Sequence, residues 1–129
     1  MNDIYSENIM EHYRYPQNSG TLKNPDVEFH DSNPLCGDEI NIGIKIDNNK
    51  LKDVKFNCEG CAISKASASI VSEKMIGKNI KDIMKLEKEF VLDLLKIPLN
   101  PMRIKCAMLF LRALQKSIAQ YLVKNDIRN

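Results

Sequence analysis

The chain has 129 residues, of which 43% are hydrophobic and 28% are charged, a size and balance typical of one compact domain with a buried core. Its 19 basic and 17 acidic residues give a formal net charge of +2. That balance is too even to predict nucleic-acid binding, which usually shows a concentrated basic patch. No signal peptide is found, and no apolar run approaches the roughly 20 residues of a membrane helix. We therefore expect a cytoplasmic protein without membrane contact, folded as a single domain over residues 1–129.

The first part of the chain predicts one helix and then a loop. Asp3 can cap a helix that runs to about Arg14, and Pro16 stops it. A loop rich in Asn, Gly and Pro covers residues 16–24, and a short extended segment covers 27–30. The face of the helix with apolar spacing holds Tyr5, Ile9, His12 and Tyr13.

A hairpin is the clearest element of the sequence. Isoleucines alternate with other residues over 40–46, and apolar residues alternate with polar ones over 54–58. The segment 47–50, Asp-Asn-Asn-Lys, has turn composition. The two runs therefore predict an antiparallel hairpin with one buried face.

The second half of the chain reads as helical. Helices are predicted from Ile63 to a C-cap at Gly77, over 79–86 with Asn79 as cap, over 87–96, and after Pro101 to the end. The apolar stripe of the last helix contains Ala107, Leu111, Leu114, Ile118 and Leu122. Strands early and helices late predict an α+β fold with helices packed on one face of a small antiparallel sheet.

Four residues at element ends are the candidate functional groups: Cys36, Asp38, Cys61 and Cys106. Cysteines in a reducing compartment more often bind metal or catalyse than form disulfides. Cys36 precedes a strand, whereas Cys61 and Cys106 lie near the starts of helices, where the helix dipole favours thiolate. Gly37 lets the backbone turn so that Cys36 and Asp38 can face one centre.

Cys58 forms a Cys-x-x-Cys pattern with Cys61, but strand alternation places it on the core face with Val54 and Phe56. We interpret it as a small buried hydrophobe. An alternative stays open in which Cys58 and Cys61 form a redox dithiol or a structural zinc module. That alternative predicts that Cys36 and Cys106 are dispensable.

The segments "IMEHYRYPQNSG", "NPLCGDEI", "GCAISKASASI" and "RIKCAMLFLRAL" together resemble the IscU/NifU/SufU-type iron–sulfur cluster assembly scaffolds, in the family's order and over nearly the whole chain. The resemblance implies a three-stranded antiparallel sheet with helices packed against it. It implies that Cys36, Asp38, Cys61 and Cys106 hold a [2Fe–2S] cluster or Zn²⁺. It also implies a cysteine desulfurase as sulfur donor and apo iron–sulfur proteins as recipients.

The sequence departs from the family pattern at two places besides Cys58. Lys105 precedes the last site cysteine, as in SufU proteins, where IscU proteins usually have His. Cys61 and Cys106, however, are only 45 positions apart, so the insertion that SufU proteins usually carry between these cysteines is missing. Residues 99–103 read Leu-Asn-Pro-Met-Arg, whereas IscU offers Leu-Pro-Pro-Val-Lys to its Hsp70-type chaperone. A chaperone interaction is therefore doubtful.

A carboxylate is a harder and less tightly held ligand than a thiolate, so Asp38 suits a site that assembles a cluster and then releases it. This favours a scaffold over a permanent electron carrier. Cys106 is the candidate persulfide acceptor, with Lys105 offsetting the negative charge of the ligands. The alternative function is a SufU-type zinc-dependent sulfurtransferase, which accepts persulfide sulfur without building a cluster.

Overall fold

The computed structural model describes residues 6–128, with side chains through residue 125. Five helices and three strands are found in this part of the chain. In chain order they are α1 (Glu7–Arg14), β1 (Val27–Asn33), β2 (Asp38–Asp47), β3 (Lys50–Glu59), α2 (Ala62–Met75), α3 (Ile80–Met84), α4 (Lys88–Leu95) and α5 (Pro101–Arg128). None of the helices among the described residues is both long and apolar enough to cross a membrane.

The three strands form one antiparallel sheet in the order β1-β2-β3. Phe29 of β1 lies opposite Ile42 of β2, which in turn lies opposite Phe56 of β3. The predicted hairpin is confirmed as β2 and β3, with a register shift between Lys45 and Ile46. The extended segment predicted at 27–30 is a longer strand that runs to Asn33.

Helices pack on one face of this sheet, as the sequence predicts. α5 lies against β1 and β2, and α2 lies against β3 and α5. The sheet face beneath them is apolar because every second strand residue points to it. Its buried members include Ile40, Ile42, Ile44, Val54 and Phe56. Phe56 meets Phe110 of α5 edge to face, with ring centroids 5.6 Å apart, so this pair fixes α5 to the sheet.

α1 is held against α2 by polar contacts around one buried serine. Ser69 Oγ lies 2.7 Å from His12 Nδ1 and accepts a hydrogen bond from the backbone N–H of Gln17 at 2.8 Å. Ser6 caps α1 by accepting from the N–H of Ile9 at 3.3 Å. The cap predicted at Asp3, like the predicted facing residue Tyr5, lies outside the described residues.

The stripe predicted on α5 is right for four of its five residues. Ala107, Leu111, Leu114 and Ile118 are fully buried, but Leu122 is 38% exposed. α5 has 28 residues and is therefore about 42 Å long, whereas the ten-residue strands span about 33 Å. The helix is longer than the sheet, so the apolar residues near its end are not covered by the strands and are exposed to solvent.

Truncating Phe110 tests the contact that fixes α5. We expect Phe110→Ala to lower the free energy of unfolding by about 3–5 kcal/mol, because it removes a buried aromatic ring and leaves a cavity. Urea unfolding of the metal-free protein measures this. Tyr15→Ala is the control: Tyr15 is 72% exposed, and we expect a change within about 0.5 kcal/mol. Equal effects of the two changes would contradict the packing described here.

Candidate metal centre

Three of the four candidate residues form a tight cluster at one end of the sheet. Asp38 is the first residue of β2 and is only 1% exposed. The Cys36 thiol donates to Asp38 Oδ2 at 3.2 Å, and its sulfur lies 3.0 Å from Cys106 Sγ. One ligand atom from each of Cys36, Asp38 and Cys106 lies within 4.8 Å of the others, a spacing that could hold a metal ion.

Cys61 reaches the same carboxylate from the other side. It is the N-cap residue of α2, and its backbone N–H donates to Asp38 Oδ1 at 3.2 Å. Its sulfur lies 3.7 Å from Asp38 Oδ2. All four residues singled out by the sequence therefore meet at Asp38, although they are spread over 70 positions between Cys36 and Cys106.

The turn that carries Cys36 is shaped by Gly37 and Asn33. Gly37 has a φ of +72°, a conformation that L residues rarely adopt. The backbone N–H groups of Cys36 and Gly37 both donate to the carbonyl oxygen of Asn33, at 3.3 and 2.9 Å. This turn places the side chains of Cys36 and Asp38 toward one centre, as the sequence predicts.

Ser64 is part of the cluster and was not singled out by the sequence analysis. It lies on the first turn of α2, is 1% exposed, and its hydroxyl makes a short hydrogen bond to Asp38 Oδ2. Its hydroxyl also lies 3.5 Å from Cys61 Sγ. The available sequence signal was its position three residues after Cys61, which is one helical turn. Such a contact orients a ligating carboxylate.

Asp38 keeps its charge despite its burial. Burial alone raises the pKa of this carboxyl, but hydrogen bonds from Ser64, from the thiols of Cys36 and Cys106, and from the Cys61 N–H outweigh it. The net result is a pKa below the ordinary value of 3.8. The site therefore offers an ionised carboxylate at neutral pH, which is the form that binds a cation.

Cys106 differs from the sequence expectation in one respect. α5 begins at Pro101, so Cys106 is the sixth residue of the helix, beyond the first turn, where the dipole acts most strongly. Its side chain is 3% exposed, and burial, followed by the hydrogen bonds to Cys36 and Asp38, raises the pKa of its thiol. The helix start and Lys105 therefore do not favour the Cys106 thiolate in the metal-free protein, and the sequence-based prediction on this point is wrong. Lys105 itself is exposed.

Cys58 lies where strand alternation predicts. It faces Ile40 of β2 and packs against the hydrophobic core, half-buried. Burial, reinforced by the nearby Asp38 charge, raises the pKa of its thiol to about 12. Among the described residues, the cluster with metal-ligand spacing includes neither Cys58 nor Cys61, but Cys61 contacts Asp38 through its backbone N–H and its sulfur. The Cys58–Cys61 pattern is thus split between the core and the candidate centre.

Gly60 provides the space that the buried carboxylate needs. A Cβ atom at this position would lie 2.5 Å from Asp38 Oδ1, 2.7 Å from its Cγ and 3.0 Å from its Cβ. Those distances are shorter than any ordinary contact, and the Asp38 side chain that they affect is held by hydrogen bonds from Cys36, Cys61 and Ser64. Any side chain at Gly60 therefore displaces Asp38.

We expect Gly60→Ala to weaken Zn²⁺ binding about 10- to 100-fold, because the displaced carboxylate also shifts Cys36 and Cys61, which are hydrogen-bonded to it. Competition with a chromophoric chelator measures the affinity. Gly43→Ala is the matched control, since a Cβ there meets its nearest atom, in Pro25, at an ordinary 3.5 Å. Unchanged affinity in Gly60→Ala would show that Asp38 is not a ligand or that the site adapts freely.

Comparison with known proteins agrees with this architecture. The zinc-dependent sulfurtransferase SufU of Bacillus subtilis is 34% identical, over 93% of this chain and 92% of its own length. The iron–sulfur cluster assembly enzyme IscU of Drosophila melanogaster is 37% identical, over 95% of this chain and 81% of its own. The crystal structure of FiSufU from Fervidobacterium islandicum matches with a TM-score of 0.76 at 30% identity, covering 88% of this chain and 96% of that one.

A structure of the NifU-like protein of Brucella abortus matches with a TM-score of 0.77 at 20% identity, covering 95% of this chain and 97% of that one, which supports the fold. The family model described as the NifU-like N terminal domain matches residues 4–128. That match spans nearly the whole chain, and the α+β fold and the relatives agree with it. The protein therefore belongs to the NifU-like N-terminal domain family.

Proposed function

We propose that this protein is a scaffold on which an iron–sulfur cluster is assembled and from which it passes to apoproteins. The observation that carries the proposal is the meeting of three cysteines and one ionised aspartate at the end of the sheet. Two relatives support this proposal. One is the IscU protein of Drosophila melanogaster, and the other is an iron–sulfur cluster assembly scaffold protein of Archaeoglobus fulgidus, which is 33% identical over 95% of this chain. The whole chain, residues 1–129, acts as the one scaffold domain.

The ligand set proposed is Cys36, Asp38, Cys61 and Cys106, with [2Fe–2S] as the cargo. Thiolates are the usual ligands of such clusters, and one carboxylate among them is held less tightly. The weaker bond to the Asp38 carboxylate therefore allows the cluster to be released. Because ligating cysteines must be free thiols, the proposal places the protein in a reducing compartment such as the cytoplasm.

The sulfur donor proposed is a cysteine desulfurase that carries a persulfide. A cysteine thiolate of the scaffold attacks the terminal sulfur of that persulfide, the donor's S–S bond breaks, and the donor's thiolate leaves. No net oxidation occurs, because one persulfide is exchanged for another. Cys106 is the proposed acceptor. Because burial raises the pKa of its thiol, the attack requires that the thiol first lose its proton. The sulfur that Cys106 receives then lies beside Cys36, whose sulfur is 3.0 Å from that of Cys106.

A second candidate function is a zinc-dependent sulfurtransferase that accepts persulfide sulfur without building a cluster. The observation that favours it is Lys105 beside Cys106, the arrangement noted for SufU proteins, together with the Bacillus subtilis relative of that name. Tetrahedral Zn²⁺ also suits three thiolates and a carboxylate.

Elemental analysis with a visible spectrum, on protein purified without oxygen, separates the two functions. Iron and acid-labile sulfide in stoichiometric amounts, with cluster transfer to an apo-ferredoxin, are expected for the scaffold. Stoichiometric zinc, with persulfide transfer but no cluster after reconstitution with iron and sulfide, would replace the scaffold proposal with the sulfurtransferase.

Asp38→Ala tests the role of the labile ligand. We expect the variant to hold a reconstituted cluster longer and to transfer it more slowly, because the weakest-held ligand is gone. Decay of the visible absorption and transfer to an apo-ferredoxin measure this. Asp47→Ala, at the exposed last residue of β2, is the control. Faster cluster loss in Asp38→Ala than in Asp47→Ala contradicts the account.

The two neighbouring cysteines are expected to respond differently to the same change. Cys61→Ser should abolish stable metal binding, whereas Cys58→Ser should leave metal stoichiometry unchanged, since Cys61 contacts Asp38 and Cys58 packs against the hydrophobic core beside Ile40. Metal content after anaerobic loading and desalting is the measurement. Equal loss in both variants would restore the Cys58–Cys61 module as the binding unit.

A further inference from the structure

The buried serines of α2 and α5 differ in where their hydroxyl groups donate. Ser72 of α2 and Ser117 of α5 each donate to a carbonyl oxygen of their own helix, at 2.8 and 2.7 Å. Bonds of this kind are usual for a serine inside a helix. Ser64, which also lies on α2 and is 1% exposed, donates to Asp38 Oδ2 instead. Its hydroxyl is thus directed away from its own helix and into the cysteine cluster.

The two oxygens of the Asp38 carboxylate have different surroundings. Oδ1 accepts from the backbone N–H of Cys61 at 3.2 Å and lies beside Gly60, where a Cβ atom would be only 2.5 Å away. Oδ2 faces the sulfurs, with Cys36 Sγ at 3.2 Å and Cys61 Sγ at 3.7 Å. A metal ion bound among the sulfurs therefore meets Oδ2 rather than Oδ1.

The two closest donors to Oδ2, Cys36 and Ser64, respond differently to a metal ion. A cysteine binds metal as a thiolate, so Cys36 has no proton left to donate once it is a ligand. Ser64 is not one of the four ligands and keeps its hydroxyl proton. A carboxylate oxygen has two lone-pair sites. The metal therefore takes the site that the Cys36 thiol leaves, while Ser64 continues to occupy the other.

We propose that Ser64 is a positioning residue that restricts Asp38 to binding metal through one oxygen, Oδ2. A rotation that brings both oxygens to the metal breaks the bond from Ser64 to Oδ2 and the bond from the Cys61 N–H to Oδ1. Asp38 and Ser64 are each 1% exposed, so water does not replace the lost bonds. One oxygen and three thiolates make four ligand atoms, the number that tetrahedral Zn²⁺ takes.

The inference rests on the ligand role proposed above for Asp38 and deepens it. A carboxylate bound through one oxygen leaves a metal when one bond breaks, whereas a carboxylate bound through two oxygens must break both. Ser64 therefore keeps Asp38 exchangeable, which a scaffold that passes on its cargo needs. Ser64 itself is not a ligand and takes no part in the transfer of sulfur.

Co²⁺ reports the number of ligand atoms, because four-coordinate Co²⁺ absorbs visible light much more strongly than Co²⁺ with more ligands. When Co²⁺ is added to the wild-type chain without oxygen, we expect the intense bands of a four-coordinate ion. In Ser64→Ala we expect these bands to lose intensity, because Asp38 is then free to bind through both oxygens. Release of Co²⁺ to excess EDTA should also become slower, since two Co–O bonds must break.

Ser117→Ala is the matched control, since it removes a fully buried serine hydroxyl that is bonded within α5. It should keep the wild-type spectrum and release rate. Weak bands in the wild type would overturn the proposal without any variant, because the centre would then hold more than four ligand atoms. Equal bands in the wild type and Ser64→Ala, an equal loss in Ser117→Ala, or faster release from Ser64→Ala would overturn it as well.

The outcomes for Ser64 and for the scaffold function are distinguishable. Each of the contradicting results above leaves the scaffold function standing, because the wild type is still tested for cluster assembly from iron and sulfide. Failure of that assembly, with the Co²⁺ spectra as expected, overturns the scaffold function and leaves the role of Ser64 standing. Absence of Co²⁺ binding in the wild type overturns both.

Discussion

The candidate centre depends on one buried carboxylate. Asp38 is an ionised group with almost no solvent contact, and such a group is tolerated only where donors replace water. Its donors come from four places: the turn before β2, the N-cap of α2, the first turn of α2 and the second turn of α5. The carboxylate therefore ties these segments together, and each cysteine of the cluster is positioned by its contact with Asp38.

The packing of the core explains why these segments meet at one end of the sheet. The Phe56–Phe110 contact fixes α5 across the apolar face, and Cys106 lies one turn before Phe110. α2 is equally constrained, because its buried small residues allow a close approach, with Ser67 Oγ donating to the Ala107 carbonyl at 2.6 Å. Hydrophobic packing thus positions α2 and α5 on the sheet, and the polar contacts around Asp38 then fix the positions of the cysteines at short range.

The sequence predicted the elements well, and the four residues that it singled out lie together at Asp38, for identifiable reasons. Alternating isoleucines give β2 directly, and the motifs around each cysteine carry the family resemblance. The contact of Ser64 with Asp38 and the crowding at Gly60 could not be predicted, because both depend on where Asp38 lies in space, 26 and 22 positions earlier in the chain. The prediction that Cys106 favours the thiolate was wrong for a related reason. Burial by distant segments raises the pKa of its thiol and outweighs the local effect of the helix start.

The four clustered residues are not held equally firmly. Asp38 begins a central strand, Cys61 is anchored by its own backbone N–H, and Cys106 belongs to the longest helix. Cys36 alone sits on a four-residue turn between two strands, beside the exposed Leu35. A movement of Cys36 therefore separates the four residues at a lower free-energy cost than a movement of any of the other three. If the centre opens in this way, the proposed cargo would enter and leave past the same turn.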